Sequence, residues 1–168
     1  MGTSHPETKP WVIDRILATE ARWVLDVGAG AGNWLDALRA AGYGNHVVAV
    51  EVWEPYVAEY RLEERYGTVM RMDAREVSAD FFALFDVVIF GDVLEHMTKP
   101  EAQEMWARAQ AAPHAAIAIP IVHYCQGALN GNPHEEHVKA DWSHDEVRAS
   151  FPGITDAQEF TITGAYWR

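Results

Sequence analysis

Val24-Leu-Asp-Val-Gly-Ala-Gly-Ala-Gly32 is the most informative segment of this chain. The apolar, β-rich run over residues 23–27 predicts a buried strand, and it leads directly into three closely spaced glycines. A helix is predicted next, over residues 32–41. Glycines let the backbone turn tightly and approach a ligand without an intervening Cβ atom. The segment therefore predicts a strand, a ligand-binding turn and a helix in immediate succession.

The rest of the chain repeats this alternation of strands and helices. Further strands are predicted at residues 46–51, 68–72, 85–90 and 115–119, and further helices at residues 55–66 and 99–111. Uninterrupted apolar strands are typical of a parallel sheet that is covered on both faces. We therefore expect an α/β fold: a doubly wound Rossmann-like sandwich with a mostly parallel sheet of six or seven strands and helices on both faces. A single domain is expected over residues 1–168.

Two segments lie outside the alternation. Residues 1–20 are expected to hold an N-terminal helix that covers one edge of the sheet, because apolar side chains recur at helical spacing within residues 9–20. Residues 120–142 are polar, rich in histidine and long for a connection. Long loops in compact domains are usually functional, so a substrate lid is expected over residues 120–142.

The C-terminal quarter predicts one more helix and at least one more strand. Ser143 and Glu146 have the spacing of a capping box, which predicts a helix that starts at Ser143. Residues 160–167 are predicted to form a strand, or a hairpin interrupted at Gly164.

Composition and charge exclude several classes of protein. The 25 acidic residues outnumber the 13 Lys and Arg residues, which gives a net charge of −12 and no basic cluster. Duplex nucleic acid is therefore an unexpected partner, since it is bound through basic surfaces. The single cysteine, Cys125, excludes an intramolecular disulfide. No apolar run has the length of a membrane span and residues 1–10 lack an apolar signal core, so we expect a cytoplasmic protein with no membrane partner.

The glycine segment differs from a dinucleotide-binding motif. That motif, Gly-x-Gly-x-x-Gly, would need its third glycine at position 33, where this chain has Asn33. An acid inside the strand, Asp26, would also repel a pyrophosphate. A cationic or zwitterionic ligand fits this loop better, and a nicotinamide-dependent oxidoreductase is the least favoured enzyme class.

Acidic residues follow three successive strands. Glu51 has two oxygens that can accept from both hydroxyls of a ribose, and Trp53 beside it can pack on a purine. Asp73 can accept a hydrogen bond from an adenine amino group. The alternative is that Asp26, Glu51 and Asp73 only cap strand ends. We favour ligand binding, because open α/β sheets bind ligands at the carboxyl ends of their strands.

These motifs, taken in order, resemble those of the class I S-adenosylmethionine-dependent methyltransferases. The resemblance covers most of residues 20–120 and rests on the glycine segment, on Val48-Ala-Val-Glu51, on Asp73 and on Val87-Val-Ile-Phe-Gly-Asp-Val-Leu-Glu-His96. It implies a seven-stranded sheet with an antiparallel last strand, and S-adenosylmethionine as the cofactor with S-adenosylhomocysteine as its product. The implied cofactor-binding residues are Asp26, Gly28, Ala29, Gly30, Asn33, Glu51, Val52, Trp53, Asp73, Ala74, Gly91 and Asp92. The chain also resembles small bacterial and phage-type methyltransferases, and this resemblance does not identify a substrate.

The segment after the fourth strand, Gly91 to Met97, is expected to border the methyl-transfer site. Some relatives, including small-RNA 3′-end methyltransferases and ubiquinone-pathway O-methyltransferases, bind a divalent metal here through acid-x-x-Glu-His. The matching residues are Asp92, Glu95 and His96, completed by His123 or His137, and they suit Mg²⁺, Mn²⁺ or Zn²⁺. A site without metal is preferred, because Leu-Glu-His is widespread in methyltransferases that bind none.

Histidines supply the candidates for a general base. An imidazole has a pKa near neutrality, so one placed at the transfer centre can accept a proton from the acceptor. The candidate catalytic residues are His96, His123, His134 and His137. The alternative is a solvated loop with incidental histidines. His134 and His137 are three residues apart after Pro133, which excludes the H-E-x-x-H zinc helix.

The preferred function is transfer of a methyl group from S-adenosylmethionine to an O or N atom of a small molecule. The first alternative is a metal-assisted methyltransferase that acts on a sugar of a nucleotide or on a nucleic-acid end. The second is a non-catalytic, cofactor-binding partner subunit. Trp34, Trp53 and Trp106 are candidates for a self-association surface, so a homodimer is kept as an alternative to a monomer.

Overall fold

The computed structural model describes residues 5–168 as a seven-stranded sheet between two layers of helices. The strands are β1 (Trp23–Val27), β2 (His46–Val50), β3 (Val69–Met70), β4 (Val87–Gly91), β5 (His114–Pro120), β6 (Asp156–Glu159) and β7 (Thr163–Trp167). The helices are α1 (Lys9–Ala18), α2 (Asn33–Ala40), α3 (Glu54–Glu59), α4 (Leu62–Tyr66), α5 (Ala79–Phe82), α6 (Lys99–Ala109) and α7 (His144–Ser150). Short 3-10 turns occur at Pro6–Thr8, Ala74–Glu76, Leu94–His96 and Pro133–Glu135.

The sheet has the strand order β3-β2-β1-β4-β5-β7-β6. Strands β1 to β5 are parallel, and β7 runs antiparallel to both of its neighbours. Val27 lies opposite Val50 on one side and Phe90 on the other, so the three central strands end at the same edge. The predicted α/β Rossmann-like fold is confirmed, with seven strands and an antiparallel β7.

Each face of the sheet has its own apolar core, because successive side chains of a strand point to opposite faces. Leu25 and Val27 of β1 pack on the side of α5, α6 and α7, where Trp106 is fully buried. Val24 packs on the other side, with α1 to α4. The doubly wound arrangement predicted from continuous apolar strands is thus present.

The N-terminal helix lies on a face of the sheet, where an edge was expected. Val12, Ile13 and Ile16 of α1 are buried in the core shared with α2 and β7. Leu17, which the helical spacing placed on the same apolar side, is 40% exposed.

Other predicted boundaries shift for local reasons. The single helix expected over 55–66 is broken into α3 and α4, because Arg61 between them is left-handed at φ 52°. The strand expected over 68–72 shortens to β3, which pairs with β2 alone. The spacing of apolar residues in a sequence cannot show that a single residue adopts a left-handed backbone conformation.

The C-terminal tail is a hairpin whose turn comes earlier than predicted. Gly164 lies inside β7, where a Cβ atom would be 2.4 Å from the Tyr166 hydroxyl. This close contact explains why position 164 is occupied by a glycine, and Gly164 does not lie in the turn. Strand β6 was missed because three of its four residues are polar and the strand is largely exposed at the sheet edge. Ser143 caps α7 as predicted, and its Oγ accepts from the Glu146 N–H at 3.2 Å.

The tryptophans considered for self-association are mostly inside the molecule. Trp34 is 2% exposed and Trp106 is 1% exposed, so neither offers a surface to a second copy. None of the helices within residues 5–168 combines the length and apolarity needed to cross a membrane.

Candidate functional site

A cavity of about 470 Å³ opens at the carboxyl ends of the parallel strands. Its walls come from the glycine loop after β1, the segments after β2, β3, β4 and β5, and the β6–β7 turn. The volume falls in the range of small-molecule sites. The position agrees with the general rule for open α/β sheets. One site can therefore take a ligand that extends across several strands.

The glycine loop is folded against the end of β2. The Gly28 and Ala29 N–H groups both donate to the Val50 carbonyl, at 2.8 and 3.1 Å. Gly28 has φ +69°, and a Cβ atom there would lie 2.6 Å from Val93 Cγ2. Both the conformation and the space therefore require glycine at position 28.

Arg65 of α4 holds the far side of the loop. Its guanidinium donates to the Ala31 carbonyl at 2.8 Å and to the Gly32 carbonyl at 3.1 Å, and it pairs with Asp36 at 2.7 Å. The break before α4 directs this side chain to the loop, and sequence reasoning did not identify its role. A positive φ at Arg61 is the feature that places it there.

Glu51 joins the glycine loop to the end of β2. One carboxylate oxygen accepts from the Gly30 N–H at 2.8 Å and the other accepts from the Trp53 N–H at 2.8 Å. Each oxygen retains a lone pair for a ligand. Burial raises the pKa of Glu51, and these backbone hydrogen bonds oppose the shift. The carboxylate is thus fixed in place on the cavity wall.

Asp26 lies beneath the loop and does not line the cavity. The side chain is completely buried and accepts from the Tyr66 hydroxyl, while its Oδ1 has no hydrogen-bond partner within residues 5–168. Burial raises the pKa of Asp26 to about 7, against the effects of Tyr66 and the Lys9 ammonium. Any contact with a ligand in this cavity would need a rearrangement or a bridging water.

Asp73 follows β3 and caps the 3-10 turn that starts at Ala74. Its carboxylate accepts from the Arg75 backbone N–H at 2.9 Å and pairs with the Arg75 guanidinium at 2.6 Å. The Arg75 hydrogen bond lowers the pKa of Asp73. Arg75 also contacts Glu101 at 3.1 Å, so its charge is matched by acids.

The structure brings ten of the twelve predicted cofactor-binding residues to the cavity. Those on its walls are Gly28, Ala29, Gly30, Asn33, Glu51, Val52, Asp73, Ala74, Gly91 and Asp92. Asp26 and Trp53 are not on its walls. Trp53 instead faces His134, with ring centroids 6.3 Å apart.

The wall after β4 is built around a glycine and a buried tryptophan. A Cβ atom on Gly91 would lie 1.7 Å from Trp34 Nε1, so the indole of α2 occupies the space left by the missing side chain. Asp92 follows with φ +56°, and its buried Oδ2 has no hydrogen-bond partner in the part of the chain that the structure describes. Trp34 was not predicted as a cavity residue, and only its contact with Gly91 identifies it.

Glu95 is the most unusual side chain of the site. It is 1% exposed, and neither carboxylate oxygen has a hydrogen-bond partner among the described residues. Burial, followed by the charge of Asp92, raises the pKa of Glu95 well above its usual value. A buried carboxyl group without partners costs free energy, which a bound ligand, ion or water would recover.

His96 and His137 lie next to Glu95. The ring centroids of His96 and His137 are 4.9 Å apart. One potential metal-ligand atom from each of the three residues lies within 4.8 Å of the other two. His96 Nδ1 faces the Glu136 carbonyl at 3.2 Å, and His137 Nδ1 faces the Tyr124 carbonyl at 2.7 Å. Since a carbonyl only accepts, each Nδ1 is the donor, and each Nε2 presents its lone pair. Burial lowers the pKa of both imidazoles, that of His96 to about 4.

The segment over residues 120–142, which we expect to act as a substrate lid and call the lid, lines this end of the cavity. It is tied to the wall after β4 by the Lys139 N–H, which donates to the Glu95 carbonyl at 3.0 Å. Trp142, 2% exposed, anchors its end in the core. His134 and His137 line the cavity, whereas His123 lies outside and contacts Cys125 at 3.1 Å. The structure therefore separates His123 from the other three histidines.

Several cavity residues were not predicted individually. Outside the expected lid they are His5, Arg75, Ile162 and Thr163, and they come from distant parts of the chain. Within the expected lid they are Pro120, Val122, Tyr124, Gln126 and Asn132. The tentative metal set is also changed, since the cluster contains Glu95, His96 and His137 without Asp92 or His123.

Comparison with known proteins identifies the family. A family model described as "Methyltransferase domain" matches residues 24–113, which is more than half of the chain. The chain belongs to this family, and its sheet and cavity are those of a class I S-adenosylmethionine-dependent methyltransferase. No curated protein matches the sequence.

Solved structures share the fold at low sequence identity. The PH0226 protein from Pyrococcus horikoshii has a TM-score of 0.70 and 16% identity, covering 96% of this chain and 87% of that chain. A 1,6-didemethyltoxoflavin-N1-methyltransferase from Burkholderia thailandensis, crystallised with that compound and S-adenosylhomocysteine, has a TM-score of 0.68 and 21% identity (96% and 77% covered). A magnesium protoporphyrin IX methyltransferase from Synechocystis, with S-adenosylmethionine bound, has a TM-score of 0.64 and 18% identity (96% and 77% covered).

Proposed function

We propose that this protein transfers the methyl group of S-adenosylmethionine to an O or N atom of a small molecule. The observation that carries the proposal is Glu51, whose carboxylate is fixed by two backbone N–H groups at the cavity wall and retains lone pairs for two hydroxyls. Two of the structural relatives carry names of small-molecule methyltransferases, and both were crystallised with the cofactor or its product.

Ten of the residues that the family resemblance assigns to the cofactor line one cavity, which supports this end as the cofactor site. In the proposal Glu51 binds the ribose, Asp73 faces the adenine, and the Gly28–Gly30 backbone lies against the methionine part. Asp26 supports the loop from beneath. The Gly30 position leaves room for such an approach, since no side chain projects from it and the nearest atom to a Cβ built there is 3.9 Å away.

The cofactor would supply an electrophilic methyl group on its sulfonium sulfur. The protein has to hold the acceptor atom in line with that methyl group and take up the proton that the acceptor loses. We assign the proton to Nε2 of His137, because its Nδ1 is held by the Tyr124 carbonyl and the ring lines the cavity. His96 is more deeply placed, His134 is at the exposed rim, and His123 is outside the cavity.

Calorimetric titration with S-adenosylhomocysteine tests the proposal, with NAD as the control ligand. We expect saturable binding of S-adenosylhomocysteine alone, weakened at least a hundredfold by Glu51→Ala. His137→Ala should keep that affinity and reduce turnover by roughly a hundredfold or more, as expected for a general base. A folded, ligand-free protein that binds neither compound would contradict the proposal and favour the non-catalytic subunit.

A metal-assisted reaction is a second candidate, and the cluster of Glu95, His96 and His137 favours it. Two imidazoles and one carboxylate form a common ligand set for divalent transition metals, and the carbonyl partners of both Nδ1 atoms leave both Nε2 atoms available. The unpartnered Glu95 oxygens fit the same role. A bound metal would supply Lewis acidity that lowers the pKa of an acceptor hydroxyl.

Direct metal titration separates the two candidates. Calorimetry with Mn²⁺, Zn²⁺ and Mg²⁺ should show saturable binding to the wild type and its loss in His137→Ala if the site holds a metal. Turnover that stops with EDTA and returns with one of these ions would establish the second candidate. Turnover unaffected by EDTA would leave His137 as a metal-free base.

A further inference from the structure

The end of the cavity opposite Glu51 is apolar at its mouth. Seven large hydrophobic side chains are exposed among residues 5–168, and three of them line this one cavity: Val122, Tyr124 and Ile162. Val122 and Tyr124 come from the segment after β5, and Ile162 comes from the β6–β7 turn. A hydrogen bond from the Ile121 N–H to the Ile162 carbonyl, 2.9 Å long, joins these two segments. Exposed apolar side chains that gather at one opening mark a binding surface.

The same cavity has little to attract an anion. Arg75 is the single Lys or Arg on the walls that residues 5–168 provide, and its guanidinium is engaged by Asp73 and Glu101. Five carboxyl groups line the cavity: Glu51, Asp73, Asp92, Glu95 and Glu135. A phosphate or carboxylate in the acceptor would meet these acids, while the guanidinium of Arg75 is already paired.

The inner wall of this end presents buried carboxyl oxygens. Within residues 5–168, both oxygens of Glu95 and Oδ2 of Asp92 have no hydrogen-bond partner. A carboxylate oxygen, or the carbonyl oxygen of a protonated carboxyl group, accepts from an N–H or O–H group, so a methyl acceptor that offers one would satisfy it. Tyr124, 53% exposed and packed edge-on to His137 at 5.3 Å, provides an aromatic face between the apolar mouth and this wall.

We infer that the methyl acceptor is a neutral or cationic molecule with a flat, apolar body and an N–H or O–H group that donates to Glu95. Acceptors that carry a carboxylate or phosphate are excluded from the site. This inference rests on the proposed function, because it takes the Glu95 end of the cavity as the acceptor half. It also disfavours a nucleotide or a nucleic-acid end as the acceptor, since both carry phosphate.

A series of naphthalene probes tests the inference by calorimetry with saturating S-adenosylhomocysteine and with EDTA present. We expect 2-naphthol to bind at least tenfold more tightly than 2-naphthoate or 2-naphthyl phosphate, which share its ring. It should also bind more tightly than 2-methoxynaphthalene, which lacks the O–H donor. Failure of 2-naphthol to bind, or equal or tighter binding of either anion, would overturn the inference.

Three variants locate the effect. Glu95→Leu should abolish the preference for 2-naphthol over 2-methoxynaphthalene, and Tyr124→Lys, at an exposed position, should shift the preference at least tenfold toward 2-naphthoate. Leu84→Ser removes an apolar side chain that is also exposed but lies away from the cavity, and it should change nothing. Unchanged preferences in both cavity variants would overturn the inference. Because S-adenosylhomocysteine binding is measured first, loss of that binding would identify a failure of the proposed function instead.

Discussion

The two halves of the cavity are built by different means. The half around β1 and β2 is shaped by backbone groups: the Val50 carbonyl accepts from two loop N–H groups, and Glu51 accepts from two more. The half under the lid is shaped by side chains that keep unsatisfied atoms, above all Glu95. A backbone-built half suits a ligand common to a whole family, whereas a half lined by side chains can be changed residue by residue to suit a different acceptor.

The largest predicted effect is the pH dependence of stability caused by Asp26, which is completely buried beneath the backbone-built half of the cavity. Its pKa is raised from 3.8 to about 7, so the folded protein binds a proton that the unfolded chain releases. Stability should therefore fall as the pH rises from 4 to 7, by up to about 4 kcal/mol. Tyr66, Lys9, Glu51 and Arg65 are the titratable or charged groups that act on it.

Urea unfolding at several pH values, with Asp26→Asn beside the wild type, measures this dependence. The variant should lose the part of this fall that Asp26 causes and become the more stable protein at pH 8. Burial also raises the pKa values of Glu51, Asp92 and Glu95, so their parts of the fall remain in both proteins. Asp73→Asn is the matched comparison: its carboxyl pKa is lowered, so Asp73 stabilises the protein above pH 4 and this contribution is lost as the pH falls. Parallel pH profiles for Asp26→Asn and the wild type would contradict the account of Asp26.

An intermediate effect is expected at Gly91, which lies where the two halves meet. Gly91→Ala forces a methyl group into the Trp34 indole, 1.7 Å from Nε1, and overpacking of this kind costs about 2–3 kcal/mol. Gly44→Ala, with no atom within 4 Å of the new Cβ, should stay close to the wild type in thermal unfolding. Equal melting temperatures for the two variants would show that Trp34 moves freely and does not fix the wall.

The smallest effect is expected at Arg65, which holds the glycine loop from outside the cavity. Arg65→Met removes hydrogen bonds to the Ala31 and Gly32 carbonyls, so it should cost about 1–2 kcal/mol and weaken S-adenosylhomocysteine binding several-fold. Arg61→Met is the control, because Arg61 pairs with Glu64 at the exposed surface. If both variants bind the product equally, the loop does not depend on its anchor.

The backbone-built half was largely predictable from sequence, and the other half was not. Gly28, Gly30 and Glu51 belong to contiguous segments that end neighbouring parallel strands, so topology alone brings them together. Tyr124 and Ile162 are far apart in sequence and meet only because the lid and the β6–β7 turn fold over the same opening. No local sequence pattern predicts that two residues so far apart line the same opening.

Two of the predicted site residues lie outside the cavity walls. Asp26 was expected at the ligand because of its place in the motif, yet the loop after it folds over its side chain. His123 was grouped with the other histidines on proximity in sequence, but its neighbours Val122 and Tyr124 line the cavity and His123 does not. Residue order along a loop does not determine which side chains face inward.

A crystal structure with S-adenosylhomocysteine bound tests the division of the cavity most directly. We predict that the ribose hydroxyls lie within hydrogen-bond distance of the Glu51 carboxylate and that the adenine lies beside Asp73. The sulfur should point toward Glu95 and His137. A product molecule bound under the lid, with Glu51 free of contacts, would contradict the account.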